Sequence, residues 1–341
     1  MWKKELVLIG HFDVHGVTSL AALLAGIHRA GFPEPKKIIC RYPDCSPEGL
    51  PDILKQLKGE TAIILDIPVD VKNPEKFIES FTGVTGLYAD HHLTSKSYMR
   101  SISKKGFYTL YCESASLMTA LALKRLNLPT EDDIIRDLLA VGGTGDRDSI
   151  VVRSGLWSPR IQQYSDALDV LLREMSSSGK ADYSSLVKEL AEKGLEAVDA
   201  SLANKIPSPS ISEIECFGRV ALVNRRLTES WSGKELERAA EAAGVPYAVG
   251  YGYAKRFNNY YVCAVLKWTE RAKDPELPVP WETFKRAAEQ RGYKIIGHPD
   301  APKIIGIKTE GEARVLAREA ALELFVDVEH AVEKEKVKTY S

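Results

Sequence analysis

The chain has 341 residues, enough for two ordinary domains, and its 44% hydrophobic and 27% charged content is typical of a globular protein. A net charge of −1 argues against a surface built for long nucleic acid, which favours proteins with a marked basic excess. No apolar run reaches about 18 residues and no secretory segment is evident, so we predict no membrane association and a cytoplasmic location.

The first half of the sequence alternates short apolar runs with helical stretches. This alternation is typical of a mainly parallel sheet with helices on both faces. The predicted strands are 6–10, 37–40, 61–65 and 86–89. The predicted helices are 19–30, 51–57, 74–81, 116–126 and 131–141, the last with Thr130 as its N-cap.

The second half indicates a connector, a linker and a smaller domain. Residues 158–203 are helical and charged in pattern, and 204–212 (NKIPSPSIS) has the prolines and serines of a linker. Further on, the predicted strands are 220–223, 248–253, 261–267 and 303–307, and the predicted helices are 233–243, 281–291 and 310–326. We therefore predict an N-terminal α/β domain with helical connector at 1–203, a linker at 204–212 and a smaller α/β domain at 213–341. The charged end, 329–341, is predicted to be solvated or frayed.

Acidic residues and histidines follow apolar runs of the first half at four places. These places hold His11, Asp13 and His15; Asp66; Asp90, His91 and His92; and Asp146. The carboxyl ends of parallel strands open onto a ligand crevice, and alternate residues of an extended segment point to the same side. Carboxylates mixed with imidazoles suit Mn²⁺ or a similar divalent ion. Asp66 stands alone between the other groups, which makes it the candidate bridge between two ions.

Each of these pieces also has an ordinary structural explanation. A lone aspartate after a strand is commonly a helix cap or a turn residue, and this applies to Asp66, Asp13 and Asp148. Gly16 is predicted to allow a sharp turn after the first strand, with Thr18 or Ser19 capping the next helix. The five cysteines are odd in number and form no C-x-x-C pair, which indicates reduced thiols and no zinc cluster or disulfide framework. Four signals in order favour the metal site over the separate explanations.

The four motifs resemble those of the DHH phosphoesterase superfamily, which takes its name from the third of them. The resemblance covers essentially the whole chain. It implies a parallel α/β domain joined by a linker to a smaller α/β domain, with the active site in the cleft between them. It also implies one or two Mn²⁺ ions, with Mg²⁺ as an alternative. One ion would be held by His11, Asp13 and Asp66, and the other by His15, Asp66, His91 and Asp146.

The resemblance extends to residues around the ions. Asp90 would support His91 from behind, and His92 would lie over the substrate phosphate. Arg147, directly after the fourth motif, either adds a charge-assisted contact to the phosphate or is a surface residue paired with Asp148.

His15 departs from the family pattern, which usually has aspartate at this position. With neutral histidines, Asp13, Asp66 and Asp146 supply −3 against +4 from two divalent ions, which leaves +1 where an aspartate at position 15 would leave zero. We therefore predict a site that attracts phosphate and holds the second ion, beside His15, less tightly.

The second domain resembles the substrate-binding domain called DHHA1. Its signature is a glycine run that ends in Gly-His, and the nearest match here, Gly297-His298, keeps one glycine of the run. His298 either reaches a phosphate or is structural. Arg225 and Lys267, on strands expected to neighbour it, are candidate phosphate partners or solvated surface residues.

The activity that the resemblance implies is hydrolysis of phosphodiester bonds by a metal-activated water. The short, nearly neutral chain favours short oligonucleotides or linear and cyclic dinucleotides as substrates. A single-strand exonuclease of the RecJ type is the first alternative, and a catalytically reduced nucleotide sensor or scaffold is the second. The expected partners are short nucleotides, with single-stranded nucleic acid and a homodimer left open.

Overall fold

The computed structural model describes residues 5–177 and 179–339, and at 256 and 334–339 it describes the backbone alone. The chain divides into two compact units, Met1–Lys205 and Ile206–Ser341. Both units are α/β, which confirms the predicted fold class. The predicted domain boundaries and the linker at 204–212 stay predictions. Across the described ranges, no helix combines the length and the hydropathy needed to cross a membrane.

The described part of the N-terminal unit contains one five-stranded parallel sheet in the order β2-β1-β4-β5-β6 and a two-stranded antiparallel pair, β3-β7. The strands are β1 (Leu6–Gly10), β2 (Lys37–Ile39), β3 (Arg41–Tyr42), β4 (Thr61–Leu65), β5 (Thr85–Asp90), β6 (Phe107–Tyr111) and β7 (Ala181–Asp182). The helices are α1 (Val14–Arg29), α2 (Leu50–Lys55), α3 (Pro74–Glu79), α4 (Leu93–Lys96), α5 (Met99–Ser103), α6 (Ala115–Arg125), α7 (Asp133–Gly145), α8 (Ser149–Arg153), α9 (Pro159–Ser176) and α10 (Ser184–Lys193).

Strand β1 shows why the N-terminal sheet forms. All five residues of its apolar run are buried, as expected for a parallel strand covered on both faces. Leu6 and Leu8 pack into the core that contains α1 and α7, whereas Val7 and Ile9 pack into the core that contains α2 and α3. Because successive side chains alternate between the faces, one apolar run joins two hydrophobic layers.

The predicted start of α1 and the predicted N-caps of α1 and α7 are wrong. Helix α1 begins at Val14, five residues earlier than predicted, because the Asp13 carboxylate caps it by accepting from the Gly16 backbone N–H at 2.8 Å. Thr18 is therefore inside the helix, where its hydroxyl donates to the Val14 carbonyl oxygen. Helix α7 is capped by Asp132 and not by Thr130.

The C-terminal unit contains, in its described part, a six-stranded mixed sheet in the order β12-β13-β11-β10-β9-β8. Its strands are β8 (Ile214–Phe217), β9 (Val220–Leu227), β10 (Tyr247–Ala254), β11 (Asn259–Leu266), β12 (Lys294–His298) and β13 (Ala301–Ile307). Its helices are α11 (Ser232–Ala243), α12 (Trp268–Lys273), α13 (Trp281–Arg291) and α14 (Glu310–Thr339). Strands β9 and β10 are parallel and are joined by α11, and the other neighbours are antiparallel.

Helix α14 is longer than predicted. It continues past residue 326 to Thr339, so residues 329–339 are helical and not frayed, and their predicted solvation stays a prediction. The remaining part of that prediction, 340–341, lies outside the described residues.

Candidate metal centre

The ends of three neighbouring strands bring the predicted ligands to one edge of the N-terminal sheet. His11 follows β1, Asp66 follows β4 and His91 follows β5. These strands are adjacent, and neighbouring strands lie about 4.8 Å apart, so the side chains that follow them meet. The structure therefore brings His11, Asp66 and His91 together at the carboxyl end of the sheet, as the sequence predicts.

Asp66 occupies an unusual backbone conformation at this edge. Its φ of 62° lies in the left-handed region, which costs a residue other than glycine of order 1 kcal/mol or more. Its backbone N–H donates to the Ala89 carbonyl oxygen of β5 at 3.0 Å, and its side chain is only 1% exposed. A strained, buried carboxylate of this kind is typical of a functional site.

Four side chains converge beside Asp66 and form what we call the four-donor cluster. Its atoms are His15 Nδ1, Asp66 Oδ1, His91 Nε2 and Asp146 Oδ2. Each of the two imidazole nitrogens lies 3.0–3.1 Å from each of the two carboxylate oxygens. Adjacent ligands of an octahedral ion with bonds of about 2.1 Å are separated by about 3.0 Å, so the spacing matches a ligand shell.

The orientation of these atoms also fits a cation. Within the described residues, His15 Nδ1, His91 Nε2 and both oxygens of Asp66 are buried and form no hydrogen bond of good geometry. Buried polar atoms are rarely left in this state, so atoms that converge without hydrogen bonding to one another call for a ligand. Asp146 also favours a bound cation, because its carboxylate lies at the C-terminus of α7, where the helix dipole disfavours an uncompensated negative charge.

His15 is held in the orientation that a ligand needs. Its ring is 2% exposed, and Nε2 lies 3.0 Å from the Ala115 carbonyl oxygen of α6. A carbonyl oxygen can only accept, so Nε2 carries a proton, and Nδ1 is the atom that would present its lone pair to a bound ion once the ring is neutral. Thr119, whose Oγ1 lies 3.3 Å from the same nitrogen, supports the ring from α6 as well.

The second group, the three-donor cluster, comprises His11, Asp13 and Asp66. His11 Nδ1 lies 2.6 Å from Asp13 Oδ2, while Asp13 Oδ1 accepts from the Gly16 backbone N–H at 2.8 Å. Asp13 is thus both the predicted ligand and a helix cap. Because Asp66 belongs to both clusters, it occupies the position predicted for a bridging carboxylate.

The carboxylates and imidazoles change one another's pKa. Burial alone lowers the pKa of His91, but close contact with the Asp146 and Asp66 carboxylates outweighs it and raises that pKa to about 10. Burial raises the pKa of Asp146, but the charge of His15 outweighs it and lowers that pKa to about 2. Burial also lowers the pKa of His15, and the charges of Asp66 and Asp146 raise it well above its usual range. Two imidazolium protons thus balance two carboxylates, and a divalent ion carries the same total positive charge. The residues present fit a divalent cation.

Comparison with solved structures identifies the fold. A DHH-domain structure, described as a member of a family of ribosomal proteins, is similar to this chain, with a TM-score of 0.55, 16% identity, and coverage of 94% of this chain and 87% of that one. The chain has the fold of that DHH-domain structure.

Two further solved structures are similar to this chain at lower TM-scores. The pGpG-specific phosphodiesterase PggH from Vibrio cholerae has a TM-score of 0.49 at 13% identity, and the match covers 96% of this chain and 100% of that one. RecJ from Thermus thermophilus, in complex with Mn²⁺, has a TM-score of 0.40 at 16% identity, and the match covers 96% of this chain and 52% of that one. No protein-family model matches the sequence, and no curated protein sequence matches it.

The contacts of the third motif, Asp90-His91-His92, differ from the prediction. Asp90 Oδ1 lies 2.8 Å from His92 Nδ1, and among the described residues Asp90 Oδ2 has no hydrogen-bond partner. Asp90 therefore supports His92, and the prediction that it supports His91 is wrong. Alternation explains this, because residues two apart in an extended segment point to the same side.

The first DHH motif also differs from the prediction in detail. His15 lies in α1 and not in the extended segment that the alternate spacing predicts. It joins a different cluster from His11 and Asp13, which is the grouping that the resemblance implies. Gly16 is helical and makes no sharp turn. A glycine is needed there because a Cβ atom would lie 2.4 Å from the His11 carbonyl oxygen.

Arg147 and Asp148 follow the fourth DHH motif. Arg147 adopts the left-handed conformation with a φ of 57°. The Asp148 carboxylate caps α8 through the Ile150 backbone N–H at 3.0 Å and accepts from the Ser114 and Ser116 hydroxyls at 2.5 and 2.6 Å. The turn-forming explanation of Asp148 is confirmed, and the phosphate contact of Arg147 stays a prediction.

The predicted substrate-binding residues are spread over the C-terminal sheet. Gly297 and His298 end the edge strand β12, and the His298 side chain is 71% exposed. Lys267 follows β11, two strands away, with its Nζ 3.8 Å from Glu241 Oε1. Arg225 lies on β9, four strands away, and its Nη1 is 2.8 Å from the buried Glu235 carboxylate. The expectation that Arg225 and Lys267 lie on strands neighbouring β12 is therefore wrong, and their roles stay predictions.

Proposed function

We propose that this chain is a divalent-metal-dependent phosphoesterase that hydrolyses phosphodiester bonds of short oligonucleotides or of linear and cyclic dinucleotides. The observation that carries the proposal is the pair of ligand clusters that share the buried Asp66 at the carboxyl edge of a parallel sheet. Two divalent ions held by a shared carboxylate are the arrangement that phosphoryl chemistry uses.

Mn²⁺ is the ion we propose, with Mg²⁺ as an alternative. The four-donor cluster would hold one ion and the three-donor cluster the other. Such ions lower the pKa of a bound water, which makes it a nucleophile at neutral pH, and they stabilise negative charge on the phosphate oxygens.

His92 is the residue we propose to contact the substrate phosphate. Its Nδ1 is fixed by the fully buried Asp90, which leaves Nε2 as the atom that can meet a ligand, and its side chain is 36% exposed. Burial by itself lowers the pKa of His92, but the hydrogen bond to Asp90 outweighs it and raises that pKa. A protonated Nε2 can donate a charge-assisted hydrogen bond to a non-bridging phosphate oxygen.

The substrate preference rests on charge. Tight binding of a long nucleic acid requires many cationic contacts, because each neutralised phosphate adds to affinity through counterion release. A chain with a net charge of −1 is better suited to a ligand with few phosphates.

The test compares product release from a 5′-labelled dinucleotide, a cyclic dinucleotide and a 20-residue single strand, each with Mn²⁺. The Asp66→Asn variant removes the shared carboxylate. The control is Asp70→Asn, since Asp70 is also buried but its carboxylate accepts from the Lys72 backbone N–H, which an asparagine oxygen can still accept.

Rapid cleavage of the dinucleotides, lost in Asp66→Asn and kept in Asp70→Asn, supports the proposal. Faster, processive cleavage of the 20-residue strand replaces it with the exonuclease alternative. Nucleotide binding without product from any of the substrates replaces it with the sensor or scaffold alternative.

A further inference from the structure

We propose that the four-donor cluster is selective for a transition-metal ion of the Co²⁺ or Zn²⁺ class over Mg²⁺, and that His15 sets this selectivity. The four-donor cluster also binds its ion before the three-donor cluster does. The inference rests on the proposed function in one respect only, since both require an ion at this edge of the sheet.

The donor atoms give the first argument. The cluster offers two imidazole nitrogens, from His15 and His91, and two carboxylate oxygens, from Asp66 and Asp146. Mg²⁺ prefers oxygen ligands and keeps several waters, whereas imidazole nitrogens suit Co²⁺ and Zn²⁺. A buried set that is half nitrogen thus disfavours Mg²⁺.

Charge and burial give the second argument. Two carboxylates neutralise one divalent ion, so the occupied cluster has no net charge. This matters because the His15 and Asp66 side chains are 2% and 1% exposed, and an uncompensated charge at that depth is costly. An aspartate at position 15 would leave a buried excess of one negative charge.

Preorganisation gives the third argument. The hydrogen bond from His15 Nε2–H to the Ala115 carbonyl oxygen fixes the tautomer and aims Nδ1 at Asp66 and Asp146. Within the described residues that nitrogen forms no hydrogen bond of good geometry. Such support of a metal-binding histidine by a backbone carbonyl is a common feature of metal sites.

The order of filling follows from comparing the two clusters. The three-donor cluster has one donor fewer, and Asp13 is 43% exposed and uses one oxygen to cap α1. Asp66 is common to both, so it does not distinguish them. The charge count made on the sequence predicts the opposite order, with the weaker ion beside His15, and a titration decides between the two.

The experiment titrates the metal-stripped full-length chain with Co²⁺, Mn²⁺ and Mg²⁺ separately, by equilibrium dialysis and metal analysis. Any site of this kind binds Co²⁺ more tightly than Mn²⁺, so the decisive quantity is the ratio of the Mg²⁺ to the Co²⁺ dissociation constant in matched variants. We compare wild type with His15→Asp and with His91→Asp. The control is His28→Asn, because His28 lies outside both clusters, with its Nε2 2.8 Å from Glu34 Oε1.

We expect one tightly bound Co²⁺ per chain, and a ratio that falls by about tenfold or more in His15→Asp and remains unchanged in His28→Asn. His91→Asp gives the same direction of change should His15→Asp fail to fold. An unchanged ratio in folded His15→Asp or His91→Asp overturns the proposal, as does a wild-type chain that binds Mg²⁺ as tightly as Co²⁺.

A spectroscopic measurement tests ligation by His15 directly. In the Co²⁺ protein, we expect the proton on His15 Nε2 to give a hyperfine-shifted NMR signal that exchanges slowly with solvent, because the hydrogen bond to Ala115 is buried. The signal should appear with the first equivalent of Co²⁺ and be absent from His15→Asp. A first equivalent that shifts no such proton overturns the proposal. Neither measurement uses a substrate, so a failure of the phosphoesterase proposal leaves both outcomes readable.

Discussion

Replacement of Gly16 by alanine should disturb the metal centre through the backbone. The added Cβ would lie 2.4 Å from the His11 carbonyl oxygen, whereas carbon and oxygen approach no closer than about 3.3 Å in favourable contacts, so the two must separate by roughly 0.9 Å. The obstacle is main chain on both sides, and a rotamer change cannot relieve it.

The expected size of the effect follows from two opposing terms. Alanine in place of glycine inside a helix normally adds up to about 1 kcal/mol of stability. Overpacking typically costs about 1–3 kcal/mol, and its cost should be at the upper end here because the backbone must move. We therefore expect a net loss of about 2 kcal/mol in the free energy of unfolding. A shift of that size at His11 also exceeds the roughly 0.2 Å that metal ligands tolerate, so the affinity of the three-donor cluster should fall by about tenfold or more.

The assay is urea denaturation, followed by Mn²⁺ titration of the folded variant. The matched control is Gly311→Ala, because Gly311 also lies in the first turn of a helix and a Cβ there would meet none of the described atoms within 4 Å. We expect the control to be as stable as wild type or slightly more stable, with unchanged metal binding. Gly16→Ala that matches the control in both measurements would refute the steric explanation.

Three further predictions concern stability. Removal of divalent ions with a chelator should lower the melting temperature of wild type, since an ion at about 100 times its dissociation constant adds about 2.7 kcal/mol, and should leave Asp66→Asn unchanged. In chelator, the pKa of His91 is raised from 6.5 to about 10, so its contribution to stability is complete below pH 6.5 and is lost as the pH rises towards 10. Urea denaturation across this range should show that the free energy of unfolding of wild type falls, and that His91→Gln reduces this fall whereas His28→Gln does not. Asp148→Ala removes the cap of α8 and the shared acceptor of two serine hydroxyls, so it should cost about 2–4 kcal/mol in the free energy of unfolding, against about 1 kcal/mol or less for the exposed Asp52→Ala.

The strands of the N-terminal sheet could be predicted closely because they are buried on both faces. The run at residues 61–65 is apolar and buried from Ala62 onwards, and the predicted bounds match those of β4. Strand β6 was not predicted, since it lies at the edge of the sheet and Tyr108 within it is 68% exposed. Strands β8 and β12 of the second unit were missed for the same reason, because most of their residues are partly or largely exposed.

The candidate ligands could be predicted from the sequence, but their supporting contacts could not. Alternate spacing suggested that His11, Asp13 and His15 share one side of an extended segment, and the capping of α1 by Asp13 moved His15 into another cluster. The start of α1 was hard to predict, because the residues that follow Asp13, Val14 to Ser19, are poor helix formers and the good ones begin only at Leu20. The hydrogen bond from His15 to Ala115 spans 100 residues, and no local pattern reports it.

The two oxygens of Asp13 connect secondary structure with chemistry. One oxygen fixes the residue at which α1 starts, and the other contacts His11. A start displaced by a single residue would rotate His15 by about 100° around the helix axis and away from Asp66. Both clusters therefore require that the first strand and helix fold correctly. An ion bound to them would stabilise only the conformation in which this helix starts at the right residue. Under the proposed function, metal affinity would report on the register of the first helix.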